Sequence, residues 1–265
     1  MAEFLKVAKE AAEQAGAYLL EKRGSLTGAQ VDEKAKNDFV TEVDRQSEKM
    51  ITDSLQKKFP CHGILAEEGT SRNRDKEYLW IVDPLDGTKN YIQQVPFFTV
   101  SIALQKADEI IAGVVYDPVH RELFTAEKNK GAFLNGHKIS ISKEQLSAGL
   151  VATGFPFRAK YNLPAYLLTF EKIFLACSGI RRCGSAALDL AYTAAGRFEG
   201  FWELGLKAWD IAAGSLLIRE AGGLVSDFQG ENSFLSSGYI VAGTPESHPK
   251  LLEIVRQHFQ KRNES

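Results

Sequence analysis

Trp80-Ile81-Val82-Asp83-Pro84-Leu85-Asp86-Gly87-Thr88-Lys89-Asn90-Tyr91 joins a buried strand to a polar turn, and the rest of the chain is read outward from it. Leu79 to Val82 is a short apolar run with the pattern of a buried strand, and it runs into Asp83-Pro84. Two carboxylates leave its end, with a proline between them that fixes one dihedral and lets both side chains converge. Charges at the end of an apolar strand call for something that neutralises them. If a helix starts at Gly87-Thr88, its first N–H groups and its dipole offer an anion site beside the acids. Carboxylates for a hard cation next to amides for a phosphate suit magnesium, which binds through a few carboxylates and shares phosphate oxygens. Taken alone, the segment also reads as an Asp-rich turn. The acid spacing fits neither an EF-hand loop nor the Asp-x-Asp-x-Thr pattern of haloacid-dehalogenase nucleophiles.

Other acids recur at the ends of apolar elements. Glu67-Glu68 follow Ile64-Leu65, Asp210 opens an apolar helix where capping alone accounts for it, and Asp38, Glu42 and Asp44 bracket Phe39-Val40. Periodicity predicts helices over 3–22, 42–59 (with Thr41 as N-cap), 164–176, 185–195, 209–221 and 251–259. Strands are predicted over 98–105 and 110–116 as a hairpin, and over 121–126, 151–153, 224–227 and 239–242, with a tight turn at Asn135-Gly136. Helices and strands cluster rather than alternate strictly. The expected fold is therefore α+β, in mixed layers with largely antiparallel sheets. A boundary near residue 145, in the hydrophilic stretch 142–147, divides residues 1–145 from 146–265 within one compact unit.

The chain has 265 residues, 32 Lys+Arg against 34 Asp+Glu, 44% hydrophobic and 25% charged residues. This composition excludes a disordered chain, and the net charge of −2 argues against a dedicated nucleic-acid binder. Acids from residue 3 onward and the absence of a long apolar run argue against a signal peptide and a membrane span. Cys61, Cys177 and Cys183 read as reduced thiols of a cytoplasmic protein. No Cys is followed six residues on by Arg, which argues against a thiol-phosphate intermediate, and the five His lack zinc-ligand spacing. Phe155, Phe157 and Phe201-Trp202 read as core or interface.

Ile64–Gly69 (ILAEEG), Trp80–Tyr91 and Trp209–Gly223 (WDIAAGSLLIREAGG) resemble the three signature blocks of the inositol monophosphatase family. Asp38–Asp44 (DFVTEVD) and Gly179–Leu190 (GIRRCGSAALDL) resemble it too, the latter its bacterial members, so the likeness runs from about residue 4 to residue 259. The resemblance implies a layered αβαβα sandwich, usually a homodimer, that hydrolyses phosphate monoesters with magnesium and is often lithium-sensitive. It implies that Glu67, Asp83 and the Leu85 carbonyl hold one Mg2+, that Asp83, Asp86 and Asp210 hold a second, and that a third sits near Glu67 with water. The Gly87 and Thr88 amides would hold the phosphate, and the Thr88 hydroxyl, oriented by Asp44, would position or deprotonate the attacking water. Glu203 and Asp210 would contact inositol hydroxyls, with Gly184, Ser185 and Ala186 forming another wall. Arg182 would reach substrate or a dimer interface, unless it and Arg181 are simply a solvated pair. Lys34 and Lys36 would belong to a lid, unless they are merely solvated.

Lys89 departs from the Thr found in many inositol monophosphatases and is familiar in bisphosphate nucleotidases. The expected activity is inositol-1-phosphate hydrolysis, with fructose-1,6-bisphosphate or 3′-phosphoadenosine 5′-phosphate as alternative substrates. A different class of role stands beside it, since some bacterial members that resemble this chain associate with transcription and ribosomal-RNA maturation machinery.

Overall fold

The computed structural model describes residues 2–24, 31–35 and 38–259, with side chains from 3–24 and 41–259. The Lys34, Lys36 and Asp38 side chains lie outside the described residues. In chain order the elements are α1 (Ala2–Lys22), β1 (Val31–Ala35), β2 (Asp38–Thr41), α2 (Glu42–Lys58), β3 (Gly63–Ala66), β4 (Ser71–Arg72), β5 (Tyr78–Asp86), α3 (Thr88–Ile92), β6 (Thr99–Lys106), β7 (Glu109–Asp117), β8 (Glu122–Glu127), β9 (Gly131–Leu134) and β10 (His137–Ile139). The second half adds β11 (Leu150–Thr153), α4 (Leu163–Ala176), β12 (Gly179–Arg181), α5 (Ala186–Ala194), β13 (Gly200–Leu204), α6 (Ala208–Glu220), β14 (Leu224–Ser226), α7 (Phe234–Ser237), β15 (Tyr239–Gly243) and α8 (Ser247–His258).

The strands form two large sheets. One runs β10-β9-β8-β7-β6-β5-β3-β4, antiparallel except at β3/β5; the other runs β12-β11-β13-β15-β14, with β11 parallel to β12 and β13. The layered, largely antiparallel α+β architecture expected from the sequence is therefore the one observed. Three apolar clusters glue five layers. Val7, Ala11, Ala15 and Leu19 of α1 and Ile51 and Leu55 of α2 meet Trp80, Val82, Val100 and Ile102 on one face of the larger sheet. Ile81, Ala103 and Val115 on its other face meet α5 and α6 through Leu188, Leu190, Ile211 and Leu217. The far side of the smaller sheet packs Val151, Trp202 and Val241 against Tyr166 of α4 and Leu251 of α8.

Strand alternation then aims the acids. Trp80 and Val82 face α1 and α2 while Ile81 faces α5 and α6, so Asp83 emerges on the α6 side. The strand does not stop at Val82 as the short apolar run suggests. It continues to Asp86, and its pairing with β6 shifts register between Asp83 and Asp86, the irregularity that accommodates Pro84. The last helix starts at Ser247, earlier than its apolar stripe, because Thr244 and Ser247 exchange side-chain and backbone hydrogen bonds at its first turn. Thr41 and Asp44 form a reciprocal capping box at the start of α2. Asp210 is not an N-cap: it is the third residue of α6, and its carboxylate accepts the Lys207 N–H at 2.7 Å.

Candidate active site

A cavity of about 160 Å³ opens where β3, β5, α3, β13 and α6 end together. Its lining includes Glu67, Asp83, Leu85, Asp86, Gly87, Thr88, Arg182, Gly184, Ala186, Glu203 and Asp210. Asp44 and Ser185 are not on its surface; they stand behind Thr88 and Asp86. The volume is well below the roughly 300–1,000 Å³ of drug-sized sites and suits a small polar ligand.

Each acid is held by a particular local device. Asp83 is buried and accepts the Leu85 N–H at 3.0 Å, which curls the chain around Pro84. Asp86 Oδ2 accepts the Ser185 hydroxyl and the Ala187 N–H, both at 2.7 Å, tying β5 to the start of α5. Glu67 follows β3 in a turn, its N–H donating to the Val82 carbonyl at 3.2 Å. Gly87 has φ +97°, and a Cβ there would lie 2.9 Å from the Phe97 carbonyl oxygen, so the turn into α3 requires glycine. The Thr88 hydroxyl lies 3.0 Å from Asp44 Oδ1 and 3.1 Å from the Leu85 carbonyl oxygen. Asp44 Oδ2 accepts the Thr41 N–H at 2.9 Å and also the Thr41 hydroxyl. Asn90 fixes α3 by donating to the Phe97 and Cys183 carbonyls. Gly154 leaves the room that Glu203 fills: a Cβ there would sit 1.9 Å from Glu203 Oε1.

The electrostatics follow from burial. Desolvation pushes the Asp83 carboxyl well above the ordinary range, and the charges of Glu67, Asp86 and Asp210 push in the same direction. Burial raises Asp86 to about 6 against the pull of the Ser185 and Ala187 hydrogen bonds. Burial, then the Asp86 charge, raises Asp210 to about 7. Glu203 is raised by burial and by Asp189, with Arg182 opposing. Burial also raises Asp44, while Thr41 and Thr88 pull it back.

The donor set fits a hard divalent cation. These are oxygen ligands in a shared cavity, and the protons favoured at buried, mutually repelling carboxylates are what a cation would replace. Among the described residues no three His, Cys, Asp or Glu form a ready-made cage. Magnesium does not need one, since it usually keeps several waters and shares substrate phosphate oxygens rather than filling an all-protein cage.

Some cavity residues carry no sequence signal of their role. Arg158 reaches Glu67 Oε1 at 3.9 Å and Asp210 Oδ2 at 3.7 Å, which stand 91 and 52 positions away, in the turn after β3 and on α6. Asp189 lines the cavity, buried, with one carboxylate oxygen lacking a hydrogen-bond partner. Phe155 and Phe157 are half-exposed in the cavity wall rather than in the core, with Arg182 5.5 and 5.6 Å from their ring centres and Lys89 5.0 Å from Phe157. Phe201 and Trp202 are fully buried, as expected. The three cysteines are free thiols.

The fold and its acid-lined cavity are those of a phosphatase scaffold, and residues 1–260 match the profile of the inositol monophosphatase family. This chain belongs to that family. It is similar to Nus factor SuhB of Pseudomonas aeruginosa, 46% identical over 265 residues and covering 98% of each chain. The structure of extragenic suppressor protein suhB from Bartonella henselae superposes with a TM-score of 0.93 at 42% identity, covering 97% of this chain and 100% of that one. The inositol monophosphatase of Anabaena (Nostoc) gives a TM-score of 0.87 at 38% identity, covering 97% of each. A magnesium requirement goes with the family.

Proposed function

We propose that this chain is a magnesium-dependent inositol-1-phosphatase that also takes related small polyol phosphates. The observation that carries the reading is the meeting of Glu67, Asp83, Asp86 and Asp210 with the Thr88–Asp44 pair around one small cavity. Glu67, Asp83, Asp86, Asp210 and the Leu85 carbonyl would hold two or three Mg2+. Bound there, magnesium supplies Lewis-acid stabilisation of both ends of an in-line displacement and makes water a better nucleophile. The chain's own work is orientation. Thr88 Oγ1, within hydrogen-bond reach of Asp44 Oδ1, directs an attacking water together with Glu67, which lines the same cavity, and Asp44 can take up a proton through Thr88. The Gly87 and Thr88 N–H groups orient the phosphate, while Glu203, Asp210 and the wall of Arg182, Gly184 and Ala186 select the polyol, with Ser185 acting from behind through Asp86. The water oxygen bonds phosphorus as the ester P–O bond breaks; the attacking water gives up one proton towards Asp44 through Thr88, and the departing alkoxide takes one from a solvent water, whose hydroxide is neutralised by the proton released.

Phosphate release from a panel of esters, with and without Mg2+, tests this. Release from inositol 1-phosphate only with magnesium is expected. Release instead from fructose 1,6-bisphosphate or 3′-phosphoadenosine 5′-phosphate, with none from inositol 1-phosphate, would transfer the assignment to those substrates.

A cytoplasmic homodimer is the proposed working form, each chain acting as one unit of two halves, 1–145 and 146–265. The described residues contain no helix long and apolar enough to cross a membrane. The dimer reading is supported by α4, which exposes Leu163, Leu167, Leu168, Phe174 and Leu175. A second role, docking to transcription machinery, is favoured by the Nus factor name of the Pseudomonas relative. Capture from lysate with Asp83→Asn separates the two roles: a transcription protein retained without catalysis supports the docking role, and none retained leaves the phosphatase alone.

A further inference from the structure

Asp44, Ser47 and Glu48 lie three and one residues apart on α2, so one turn of helix turns all three to the same side. All are buried, and each holds a different segment that carries a cavity residue. Asp44 holds Thr88 of α3. The Ser47 hydroxyl donates to the Pro84 carbonyl at 3.0 Å, between Asp83 and Leu85. Glu48 spreads its two oxygens over the turn after β3: Oε2 accepts the Glu68 N–H at 2.5 Å and Oε1 accepts the Thr70 N–H at 3.0 Å. The same turn is closed by the Ala66 N–H, which donates to the Thr70 carbonyl at 2.9 Å, and Glu67 is tied behind to Val82. Glu67 therefore stands between two anchors, the sheet on one side and the Glu48 carboxylate on the other.

We infer that Glu48 is a positioning residue: its carboxylate sets the 67–70 turn and thereby the direction in which Glu67 presents its oxygens to a bound divalent cation. The inference rests on the cation reading proposed above. Carboxylate-to-amide hydrogen bonds are of the stronger, charge-assisted kind, and in a buried site they define a geometry rather than merely permit it. The chemistry specifies an acid. Two N–H donors need two acceptors, which a carboxylate has and a carboxamide lacks, since its NH2 would face one of the donors. Partners that orient a metal-binding carboxylate commonly change metal affinity 10–100-fold, about the effect expected here.

The test is calorimetric titration of Mg2+ into the chelator-stripped, full-length protein without substrate. Wild type is compared with Glu48→Gln, Glu48→Asp, Glu67→Gln and the Glu48→Gln/Glu67→Gln double variant. Glu67→Gln is expected to weaken binding, and Glu48→Gln to weaken it by about 10–100-fold. Glu48→Asp keeps the charge but is one methylene too short to span both amides, so its affinity should lie between those of wild type and Glu48→Gln. The distinguishing result is the double variant: in the Glu67→Gln background, Glu48→Gln should cost nothing further. Losses that multiply instead would mean that Glu48 supports the fold at large, and would overturn the inference. So would a Glu48→Gln affinity within about twofold of wild type while Glu67→Gln is weakened. An unchanged affinity in Glu67→Gln would remove Glu67 from the cation site and overturn the underlying reading together with this one.

Discussion

Asp86 and Asp210 pull the protein in opposite directions according to whether a cation is bound. Their folded-state values of about 6 and about 7 stand above the ordinary 3.8 because burial penalises the charged form. Between about pH 4 and 7 the cation-free folded chain therefore binds more protons than the unfolded chain. Stability from these two groups is fully present below about pH 4 and is lost as pH rises through their folded values. Thermal melts in chelator should decline from pH 5 to pH 8, less steeply in Asp210→Asn, and the upward shift given by added magnesium should grow over that range. An equally steep decline in Asp210→Asn would contradict this. Asp86→Asn or Asp210→Asn should also lower phosphate release by more than about 100-fold, beyond the usual loss for an outer partner, while circular dichroism shows the fold intact. Undiminished release in either variant would remove it from the cation site. The acids themselves were legible because charge at the end of an apolar run is locally anomalous. Arg158 and Glu48 were not: one meets Glu67 and Asp210, and the other meets Glu68 and Thr70, only across contacts that no local pattern encodes.

Among the elements, the turn from β5 into α3 carries the most constraint. Gly87→Ala should cost about 2 kcal/mol in a denaturant titration, from the left-handed backbone and the contact with the Phe97 carbonyl. It should also weaken inhibition by inorganic phosphate, because the amides of residues 87 and 88 would shift together. Most helices and the β6–β7 hairpin could be read from periodicity, since each buries one stripe or one face of ordinary length. β13 could not. Phe201-Trp202 is flanked by Gly200 and by Glu203, whose acid faces the cavity, so function interrupts the apolar pattern that would have marked a strand. The short β9 and β10 likewise flank the Asn135-Gly136 turn that was recognised, but at four and three residues they are too brief to show a period.

For the molecule as a whole, the layered architecture followed from clustering of helices and strands, whereas the face that would join two copies is visible only once α4 is seen lying on the surface. Replacing Leu167 and Leu175, which are 53% and 72% exposed, with Asp should shift sedimenting protein toward monomer without lowering its melting temperature in dilute solution. A wild type that already sediments as a monomer would refute the dimer. α6 has a different importance. It is wedged between the two sheets, and it brings Asp210 to acids that precede it by more than a hundred residues along the chain. During synthesis, Glu67, Asp83 and Asp86 thus emerge long before their last partner. A nascent chain cannot assemble the complete cation site until α6 has been made and has docked. Since such long-range closure is the slow part of folding, the capacity to hold the cation fully is among the last properties the protein acquires, and a chain truncated anywhere before residue 210 cannot complete the site.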